Sequence, residues 1–551
     1  MLPSQFPRRI VTQHPQRRQS TAFACIACTF FFLAGLALTP LVGIEGDETL
    51  FAVGIYPPRG ELFAISIGRR HIPVMLMTYV GALKSWIYRP ILNSLGSGRF
   101  TLRIPSLLAG TISVWLFFLI LRRVAGVRAA YIGCGLLAVD SMYLMTACFD
   151  WGPVAFQHLL LAGGMLLLVR FFQEWRSWQL FWGSFLLGLM LWDKALALWM
   201  LSGLGLAAIL AHARQIFAAI TLRRLALAAA GFLIGALPLL TYNAGHHWVT
   251  FRSNFHRDTV PIATKAVFLK NAADGPGLFD WMPSEADKTP APHQPRGALQ
   301  AASAAISALA GHPRHHLLLY AFGLALLLTP WVRGAALRIV IFGLAAIAVA
   351  WVQMAITANT GLSLHHTILL WPLPQLVIAA SFASASRRLG RAGIPALAVA
   401  LAVTMASGAL VINEYFITTV RYGGAPGWNS AIYPLNDYLK QVPADKVVCL
   451  DWGIAEPLQF LGRGKLPLRW AEDALSKPEL TREDREALLH TISEPGNLYI
   501  AHTKGYEFFP GRNPKLVKFA EESGYRREML TVIGDGYGRD FFEVYRLRAA
   551  Q

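Results

Sequence analysis

The sequence has little charge and few cysteines. Asp, Glu, Lys and Arg make up 15% of its 551 residues, hydrophobic residues make up 54%, and the mean hydropathy is +0.43. Soluble domains usually carry about 25% charged residues, so this composition predicts a polytopic membrane protein. Among the five cysteines, Cys25-x-x-Cys28 has redox spacing but lies inside an apolar run. Reactive thiols need an accessible, electropositive setting, so we expect both of these thiols to be packed.

About eleven apolar runs account for this composition. Most are long enough to cross about 30 Å of hydrocarbon at about 1.5 Å per residue. Asp193-Lys194 alone separates the fifth and sixth runs, which are short, so a tilted hairpin is the alternative for that pair. The runs lie near residues 21–43, 104–121, 129–147, 154–172, 178–192, 195–211, 225–243, 316–332, 336–356, 367–385 and 393–413.

Acidic residues are nearly absent from alternate loops. Because successive spans cross the membrane in opposite directions, these loops lie on the same side as the N-terminus. Together with the N-terminus they carry seventeen arginines and one acidic residue, Glu174. Such an excess marks cytoplasmic loops, so we predict a cytoplasmic N-terminus and an uncleaved first span. The formal net charge of +18 arises here, because residues 414–551 hold 18 basic and 19 acidic residues. We therefore predict no nucleic-acid partner. The N-terminal arginines are Arg8, Arg9, Arg17 and Arg18.

The chain divides into three predicted segments. Residues 1–20 form a cytoplasmic N-terminal segment, and residues 21–413 form a transmembrane domain with long outer loops at 44–103 and 244–315. Residues 414–551 alternate strand-like runs, such as 447–452 and 497–501, with amphipathic stretches such as 479–490. This pattern predicts an α/β domain outside the membrane. The predicted fold is thus an all-α membrane bundle of about eleven spans with a C-terminal α/β domain.

Charged residues from distant loops are predicted to meet at the outer face. Ionisable groups at membrane depth are costly, and their default interpretation is functional. The set is Asp47, Glu48, Lys84, Arg89, Asp140, Asp150, Asp193, Lys194, His365 and His366.

Most of these residues also have an ordinary alternative. Asp150 in Asp-Trp-Gly-Pro fits a helix N-cap, and a cap is compatible with a second role. Lys84 fits a snorkelling interfacial lysine. His365 and His366 fit an interface pair, and no metal site is predicted, since adjacent histidines rarely face one ion and no third ligand is suitably spaced. The remaining alternatives are a solvated acid pair at Asp47-Glu48 and a local ion pair in a tight turn at Asp193-Lys194.

Acids and cations at one membrane face suit a particular chemistry. A lipid-anchored donor keeps its tail in the bilayer and its phosphate near the surface, where Lys or Arg would hold it. A carboxylate opposite could take a proton from an acceptor hydroxyl. Phosphate is already a good leaving group, so cations that stabilise its developing charge are enough on that side.

Five short motifs lie in order along the membrane part of the chain. They are Gly46-Asp47-Glu48, Leu102-Arg103-Ile104-Pro105-Ser106-Leu107-Leu108-Ala109-Gly110, Phe149-Asp150-Trp151-Gly152-Pro153, Gly188-Leu189-Met190-Leu191-Trp192-Asp193-Lys194 and His365-His366-Thr367-Ile368-Leu369-Leu370-Trp371-Pro372. In their order and membrane sidedness they resemble the motifs of the GT-C glycosyltransferases, in the protein O-mannosyltransferase and aminoarabinose-transferase-like branch. The resemblance covers about residues 20–415.

The resemblance implies an inverting glycosyltransferase that uses a polyprenyl-phosphate-linked sugar. It implies a catalytic acid in the first outer loop, which maps onto Asp47, with Glu48 beside it and Asp150 as a further catalytic candidate. Lys84 is the best match for a residue that binds the donor phosphate. The remaining substrate-binding candidates are Arg89, Asp140, Asp193, Lys194, His365 and His366.

Other functions and partners stay open at this stage. A multi-pass transporter or flippase would use Asp140, Asp150, Asp193 and Lys194 as a path, but it should show paired halves, which the sequence lacks. A membrane-anchored binding protein would not need eleven spans. The expected location is the inner membrane, in contact with membrane lipid, with the site on the periplasmic side. The acceptor is a lipid, a glycan or a protein; no cofactor is certain, and a divalent cation is left open.

Overall fold

In the computed structural model, residues 14–281, 289–290, 292–358, 360–471 and 473–550 are described. Arg8 and Arg9 of the predicted N-terminal segment therefore lie outside the described residues. The helices are α1 (His14–Leu38), α2 (Gly46–Thr49), α3 (Leu83–Leu95), α4 (Arg99–Val124), α5 (Val127–Ala138), α6 (Ser141–Cys148), α7 (Val154–Glu174), α8 (Ser177–Asp193), α9 (Ala197–Ala219), α10 (Leu222–Gly245), α11 (Val249–Asn254), α12 (Ile262–Asp274), α13 (Gly297–Leu309), α14 (Leu318–Leu327), α15 (Ala335–Ile356), α16 (Leu364–Thr367), α17 (Leu373–Ala385), α18 (Gly390–Tyr422), α19 (Ile432–Leu439), α20 (Ala455–Leu461), α21 (Arg482–Ser493) and α22 (Arg512–Glu522).

The strands form two sheets, and short 3₁₀ turns connect some of the helices. The turns are Leu50–Gly54, Pro276–Trp281, Thr329–Trp331, Ile368–Leu370, Pro426–Trp428 and Asp473–Ser476. The strands are β1 (Phe63–Ile67), β2 (Arg70–Met75), β3 (Val447–Cys449), β4 (Leu468–Trp470), β5 (Leu498–His502), β6 (Tyr525–Gly534) and β7 (Asp540–Ala549).

Long apolar helices dominate the first 422 residues. Within the described residues, eight are long and apolar enough to span a membrane, and the α5–α6 pair, bent by 61°, makes a ninth if it counts as one span. These nine match nine of the eleven predicted runs. The other two form shorter helices, α8 with 17 residues and α14 with 10. The polytopic helical fold is thus confirmed, while the exact number of spans stays a prediction.

Glycines allow α8 and α10 to pack backbone against backbone. Gly231 and Gly235 lie four residues apart on one face of α10. A Cβ on Gly231 would lie 2.3 Å from the carbonyl oxygen of Phe181, and one on Gly235 would lie 2.3 Å from that of Phe185. Gly188 of α8 makes the reciprocal approach to α10 at 2.2 Å. Small residues spaced in this way allow close helix contact in membranes, where burial of apolar surface adds little.

Replacing Gly235 with leucine is expected to destabilise the protein more than the same replacement at a glycine that faces open space. The new side chain would overlap the α8 backbone, and overpacking of this kind costs about 1–3 kcal/mol. Thermal unfolding of the purified protein in detergent measures the effect. The matched control is Gly205→Leu, also in a long apolar helix, because a Cβ there meets nothing within 4 Å. Equal melting temperatures for the two variants would contradict the packing explanation.

The C-terminal domain contains a five-stranded sheet in the order β4-β3-β5-β7-β6. Strands β4, β3 and β5 are parallel, and β7 pairs antiparallel with both β5 and β6. Alternation along β3 divides the side chains between two cores: Val447 and Cys449 pack with α19 and α20, while Val448 and Leu450 pack with α21 and α22. The predicted α/β character is confirmed.

The C-terminal part of the chain packs directly on the loop that follows α1. The Gly43 N–H donates to the carbonyl oxygen of Trp428 at 2.7 Å, and Gln459 Nε2 donates to the carbonyl oxygens of Tyr56 and Pro58 at 2.8 and 2.6 Å. A Cβ on Gly43 would lie 1.7 Å from the carbonyl oxygen of Asn429, so only glycine fits there. This contact places the acidic loop between the helices and the C-terminal domain.

Candidate functional site

The three acids that follow α1 have different environments. The short helix α2 starts at Gly46, and the Glu45 side chain caps it by accepting the Glu48 N–H at 3.0 Å. Glu45 and Glu48 are both buried, at 1% and 0% exposure. Asp47 is half-buried and, among the described residues, its carboxylate has no hydrogen-bond or ion-pair partner. Asp47 is therefore the acid of this loop that is free to act on a substrate.

Arg103 of α4 binds Glu48 through two hydrogen bonds. Its Nε lies 2.7 Å from Glu48 Oε1 and its Nη2 lies 2.9 Å from Oε2. Arg103 also donates to the carbonyl oxygens of Thr39 and Gly43, at 2.6 and 2.5 Å. Both members of the ion pair are buried, so Arg103 fastens the end of α1 and the acidic loop to α4. The sequence analysis included Arg103 in a motif but did not identify it as a site residue, although an arginine at the edge of an apolar run was the available signal.

Lys84 connects the acidic loop to the segment before α7. Its Nζ lies 2.7 Å from Asp150 Oδ2 and donates to the Glu48 carbonyl oxygen at 3.1 Å. Asp150 Oδ1 accepts the Ala155 N–H at 2.8 Å at the start of α7. Asp150 thus caps a helix and pairs with Lys84 at the same time, the coexistence that the sequence analysis allowed. Both carboxylate oxygens of Asp150 are engaged.

Lys194 is the second buried lysine of this region. It is 2% exposed, and its Nζ donates to the Gly152 carbonyl oxygen at 2.9 Å. No carboxylate of a described residue lies within ion-pair distance of Lys194, so Lys194 retains unused donors. The local ion pair with Asp193, the alternative that the sequence allowed, is not formed. Burial lowers the pKa of Lys194 to about 8, although the charge of Asp47 opposes this shift.

Asp47 lies within the electrostatic reach of both lysines. Burial raises the pKa of Asp47 above its ordinary value, while the positive charges of Lys194 and Lys84 act in the opposite direction. Asp47, Lys84, Asp150 and Lys194 come from distant positions in the chain, and the structure brings them together as the sequence analysis predicted.

Three further candidates, His365, His366 and Asp193, lie beside this cluster. A Cβ on Gly152 would lie 3.1 Å from Lys194 Nζ and 3.9 Å from the His365 ring, so both side chains flank Gly152. The His366 ring lies 4.2 Å from that of His365. Asp193 Oδ2 accepts from Gln157 Nε2 at 3.2 Å, and its Oδ1 is buried without a hydrogen bond to any described residue.

Asp140 and Arg89 are not brought to the cluster. Asp140 Oδ1 accepts the Tyr143 N–H and caps α6, while its Oδ2 accepts from Trp371 and Gln375 at 2.7 and 2.8 Å. Arg89 Nη2 donates to the Gly54 carbonyl oxygen at 2.8 Å. These contacts hold the scaffold together, and the described part of the chain shows none between either residue and Asp47, Lys84 or Lys194.

The C-terminal domain contributes residues that the sequence analysis did not identify. A Cβ on Gly46 would lie 3.1 Å from Gly453 Cα and 3.4 Å from the Trp452 ring. Glu456 accepts from Trp470 Nε1 at 2.9 Å. Burial raises the pKa of Glu456, and the charge of Asp47 adds to the rise, so the two carboxyls interact electrostatically. No local pattern in the sequence connects residues 47 and 456.

An apolar pocket adjoins the segment around Asp150. It is shallow and open: the space of about 340 Å³ around it includes open solvent, and its lining includes Met142, Met145, Phe149 and Trp151. Within the described residues, no three His, Cys, Asp or Glu side chains are grouped closely enough to hold a metal ion. The arrangement thus offers a free carboxylate, two buried lysines and apolar surface beside them.

Comparisons with known proteins support the resemblance. Residues 81–242 match the family described as dolichyl-phosphate-mannose-protein mannosyltransferase. No curated protein matches the chain. The crystal structure of ArnT from Cupriavidus metallidurans bound to undecaprenyl phosphate is similar at 15% identity and a TM-score of 0.54, covering 95% of this chain and 97% of that one. The apo state of the same protein has 13% identity, the same TM-score and the same coverage. The chain therefore shares the fold of the ArnT structures over nearly its whole length.

Proposed function

We propose that this chain, which has the GT-C fold, is an integral-membrane inverting glycosyltransferase that moves a sugar from a polyprenyl-phosphate donor to an acceptor hydroxyl. The fold and the family match support glycosyl transfer at a membrane rather than transport. One observation carries the finer proposal. Of the three acids in the loop after α1, Asp47 alone is unpaired among the described residues, and the charges of two buried lysines, Lys194 and Lys84, act on its carboxylate.

In the proposed reaction, Asp47 acts as the general base. The acceptor oxygen attacks the anomeric carbon, the bond from that carbon to the phosphate oxygen breaks, and the acceptor proton passes to the Asp47 carboxylate. The electrons of the broken bond leave with polyprenyl phosphate. In-line attack inverts the anomeric centre. The ArnT structure contains undecaprenyl phosphate, which supports a donor of this class.

Lys194 and Lys84 are proposed to hold the phosphate. Lys194 makes one hydrogen bond, to Gly152, and so has donors available for phosphate oxygens. Lys84 pairs with Asp150, so it contributes charge and less free hydrogen-bonding capacity. Two fixed cations in a region sheltered from water stabilise the negative charge that develops on the leaving group. His365, His366 and Asp193 are proposed to line this end of the site.

The apolar pocket beside Phe149 and Trp151 is proposed to receive the first part of the lipid tail. It adjoins Asp150, which contacts Lys84, so a phosphate held by the lysines could extend its tail there. By the arginine distribution, this end of the helices faces the periplasm. We propose that residues 21–413 form the catalytic unit and residues 414–551 a periplasmic domain.

The pH dependence of kcat/KM for the donor is expected to follow the protonation of Lys194. Above a pH of about 8, kcat/KM for the donor should fall about tenfold per pH unit, because the lysine loses the charge that binds phosphate. Lys194→Arg keeps its charge at these pH values, so the decline should disappear in that variant. Steady-state kinetics with a polyprenyl-phosphate sugar measure both profiles. An unchanged decline in Lys194→Arg would assign it to another group.

The proposed function itself is tested by reconstitution. The purified protein in proteoliposomes is incubated with radiolabelled polyprenyl-phosphate sugars and crude envelope acceptors. Transfer of label, or its slow release to water, supports the proposal. If every donor stays intact with wild-type protein, and Asp47→Asn behaves identically, the proposed activity is wrong.

A further inference from the structure

The C-terminal domain presents an aromatic surface beside Asp47. The Trp452 ring lies against Gly46, the residue before Asp47, and the Phe508 ring packs edge-on against Trp452 with centroids 4.8 Å apart. Phe508 also borders Gly427, at 3.7 Å from a Cβ built there, and the Glu45 side chain borders the same position at 3.6 Å. Phe508 is 40% exposed. We call the pair Trp452 and Phe508 the aromatic platform.

A single buried carboxylate holds this platform in place. Asp451 Oδ1 accepts the N–H groups of Trp452 and Phe509, at 2.8 and 3.0 Å. Its Oδ2 accepts the Phe508 N–H at 2.9 Å and His502 Nδ1 at 2.8 Å. These bonds lower the pKa of Asp451 despite its burial. A carboxylate with four donors fixes the loop geometry, so the orientation of both rings is set before any ligand binds.

The segment that carries Trp452 also carries polar groups. The Trp452 indole N–H has no acceptor among the described residues, and Glu456 follows four residues later in α20, where the charge of Asp47 acts on its carboxyl. An aromatic face with one free donor, on a segment that also carries a carboxyl, suits a flat, hydroxyl-bearing ring better than an acyl chain. An acyl chain would leave the Trp452 indole N–H without a partner.

The position of the aromatic platform indicates that it binds the acceptor rather than the donor. Both lysines proposed to bind the donor phosphate come from the helical part of the chain, at residues 84 and 194. In-line transfer requires the acceptor to approach the anomeric carbon from the side opposite the leaving phosphate. Gly453 and Trp452 of the C-terminal domain contact Gly46 directly. An acceptor bound to the aromatic platform would therefore present its hydroxyl to Asp47.

We propose that the acceptor is a carbohydrate whose ring stacks on Trp452, with Phe508 supporting the indole and Glu456 accepting a hydrogen bond from a ring hydroxyl. This inference rests on the proposed function and names its acceptor class. Asp451 is a positioning residue, because it acts on the acceptor only through the platform. The reaction is unchanged: the acceptor hydroxyl gives its proton to Asp47 and its oxygen to the anomeric carbon.

The test compares two adjacent, equally exposed phenylalanines. Phe508 contacts Trp452, whereas Phe509, 43% exposed, has the Arg512 guanidinium 4.2 Å from its ring centroid. Phe508→Ala and Trp452→Ala are expected to raise the KM for an envelope oligosaccharide acceptor about tenfold, with the donor KM and acceptor-free donor hydrolysis unchanged. Phe509→Ala should leave all three constants unchanged.

Further variants separate stacking from folding. Trp452→Phe keeps a ring and should raise the acceptor KM less than Trp452→Ala does. Asp451→Asn should raise the acceptor KM with kcat nearly constant, since it loosens the platform and leaves Asp47 in place. Melting temperatures in detergent show that each variant is folded.

Three outcomes overturn the inference. The first is an unchanged acceptor KM in Trp452→Ala and Phe508→Ala. The second is an equal rise in Phe509→Ala. The third is transfer only to a serine- or threonine-containing peptide, or only to a simple lipid, with no transfer to oligosaccharides. In each of these, wild-type transfer continues and the proposed function stands. Failure of the wild type to use any donor would instead remove the proposed function.

Discussion

Asp47→Asn is expected to lower the rate of sugar transfer by about 10²–10⁴-fold, the usual contribution of a general base. Asparagine keeps the size of the side chain but cannot accept the acceptor proton at neutral pH. Asp47 forms no ion pair or hydrogen bond with described residues, so its loss should leave the melting temperature unchanged. Donor binding should be retained or tightened, since the substitution removes a negative charge near the phosphate. Radiolabel transfer and donor binding to the same protein preparation measure the two effects separately.

The pH profile adds an independent check on Asp47. Burial raises its pKa, so kcat/KM should decline as the pH falls through a value above the ordinary range of an aspartate. The sign follows from the base being active only when ionised. The exposed Asp437, which pairs with Lys440 in the C-terminal domain, provides the control, and Asp437→Asn should not alter the rate or the profile. Near-normal transfer by Asp47→Asn would remove Asp47 as the base.

Glu48→Gln is expected to lower stability by about 3–5 kcal/mol, the usual cost of removing one partner of a buried ion pair. Arg103 would remain buried with an uncompensated charge, and the end of α1 would lose its attachment to α4. Expression and thermal unfolding in detergent measure the loss. Arg103→Met should be similarly harmful. The double variant should be less destabilised than the sum of the two, because no unpaired charge is left.

An exposed pair gives the matched comparison for Glu48. Arg548 and Glu528 are 2.9 Å apart, with side chains 41% and 49% exposed. Glu528→Gln should change stability by about 0–1 kcal/mol, as is usual for surface pairs. If Glu48→Gln instead melted like the wild type and lost only transfer, Glu48 would have the catalytic role that its place beside Asp47 predicts.

The helical part of the fold was largely predictable, because membrane spans are specified by local composition. A helix can be predicted from a run of about twenty apolar residues without any knowledge of its tertiary contacts, because the backbone in lipid must satisfy its own hydrogen bonds. Helix α14 is shorter than the predicted run, and the cause is local. The predicted run 316–332 contains Pro330, and the helix ends at Leu327 before a 3₁₀ turn at Thr329–Trp331. Element type was thus easier to predict than element length.

The sequence predicted part of the cluster of charged residues but none of its contacts. The sidedness of the loops, read from charge and hydropathy, was enough to group Asp47, Lys84, Asp150 and Lys194 at one face. The same reasoning included Asp140, which instead caps α6 and binds Trp371. Both kinds of residue are acids beside apolar runs, so a single sequence cannot separate a buried cap from a catalytic group.

By itself, the sequence determined that this protein is a helical membrane protein with charged loops on one face, because hydropathy and charge act over short stretches of chain. Only the tertiary structure decided which of three neighbouring acids is free. Arg103 neutralises Glu48 from α4, and Glu45 caps α2. From the far end of the chain, Trp452 lies against Gly46 and Glu456 interacts electrostatically with Asp47. Ion pairs depend on the distance between side chains in space, and that distance is set by how remote segments pack.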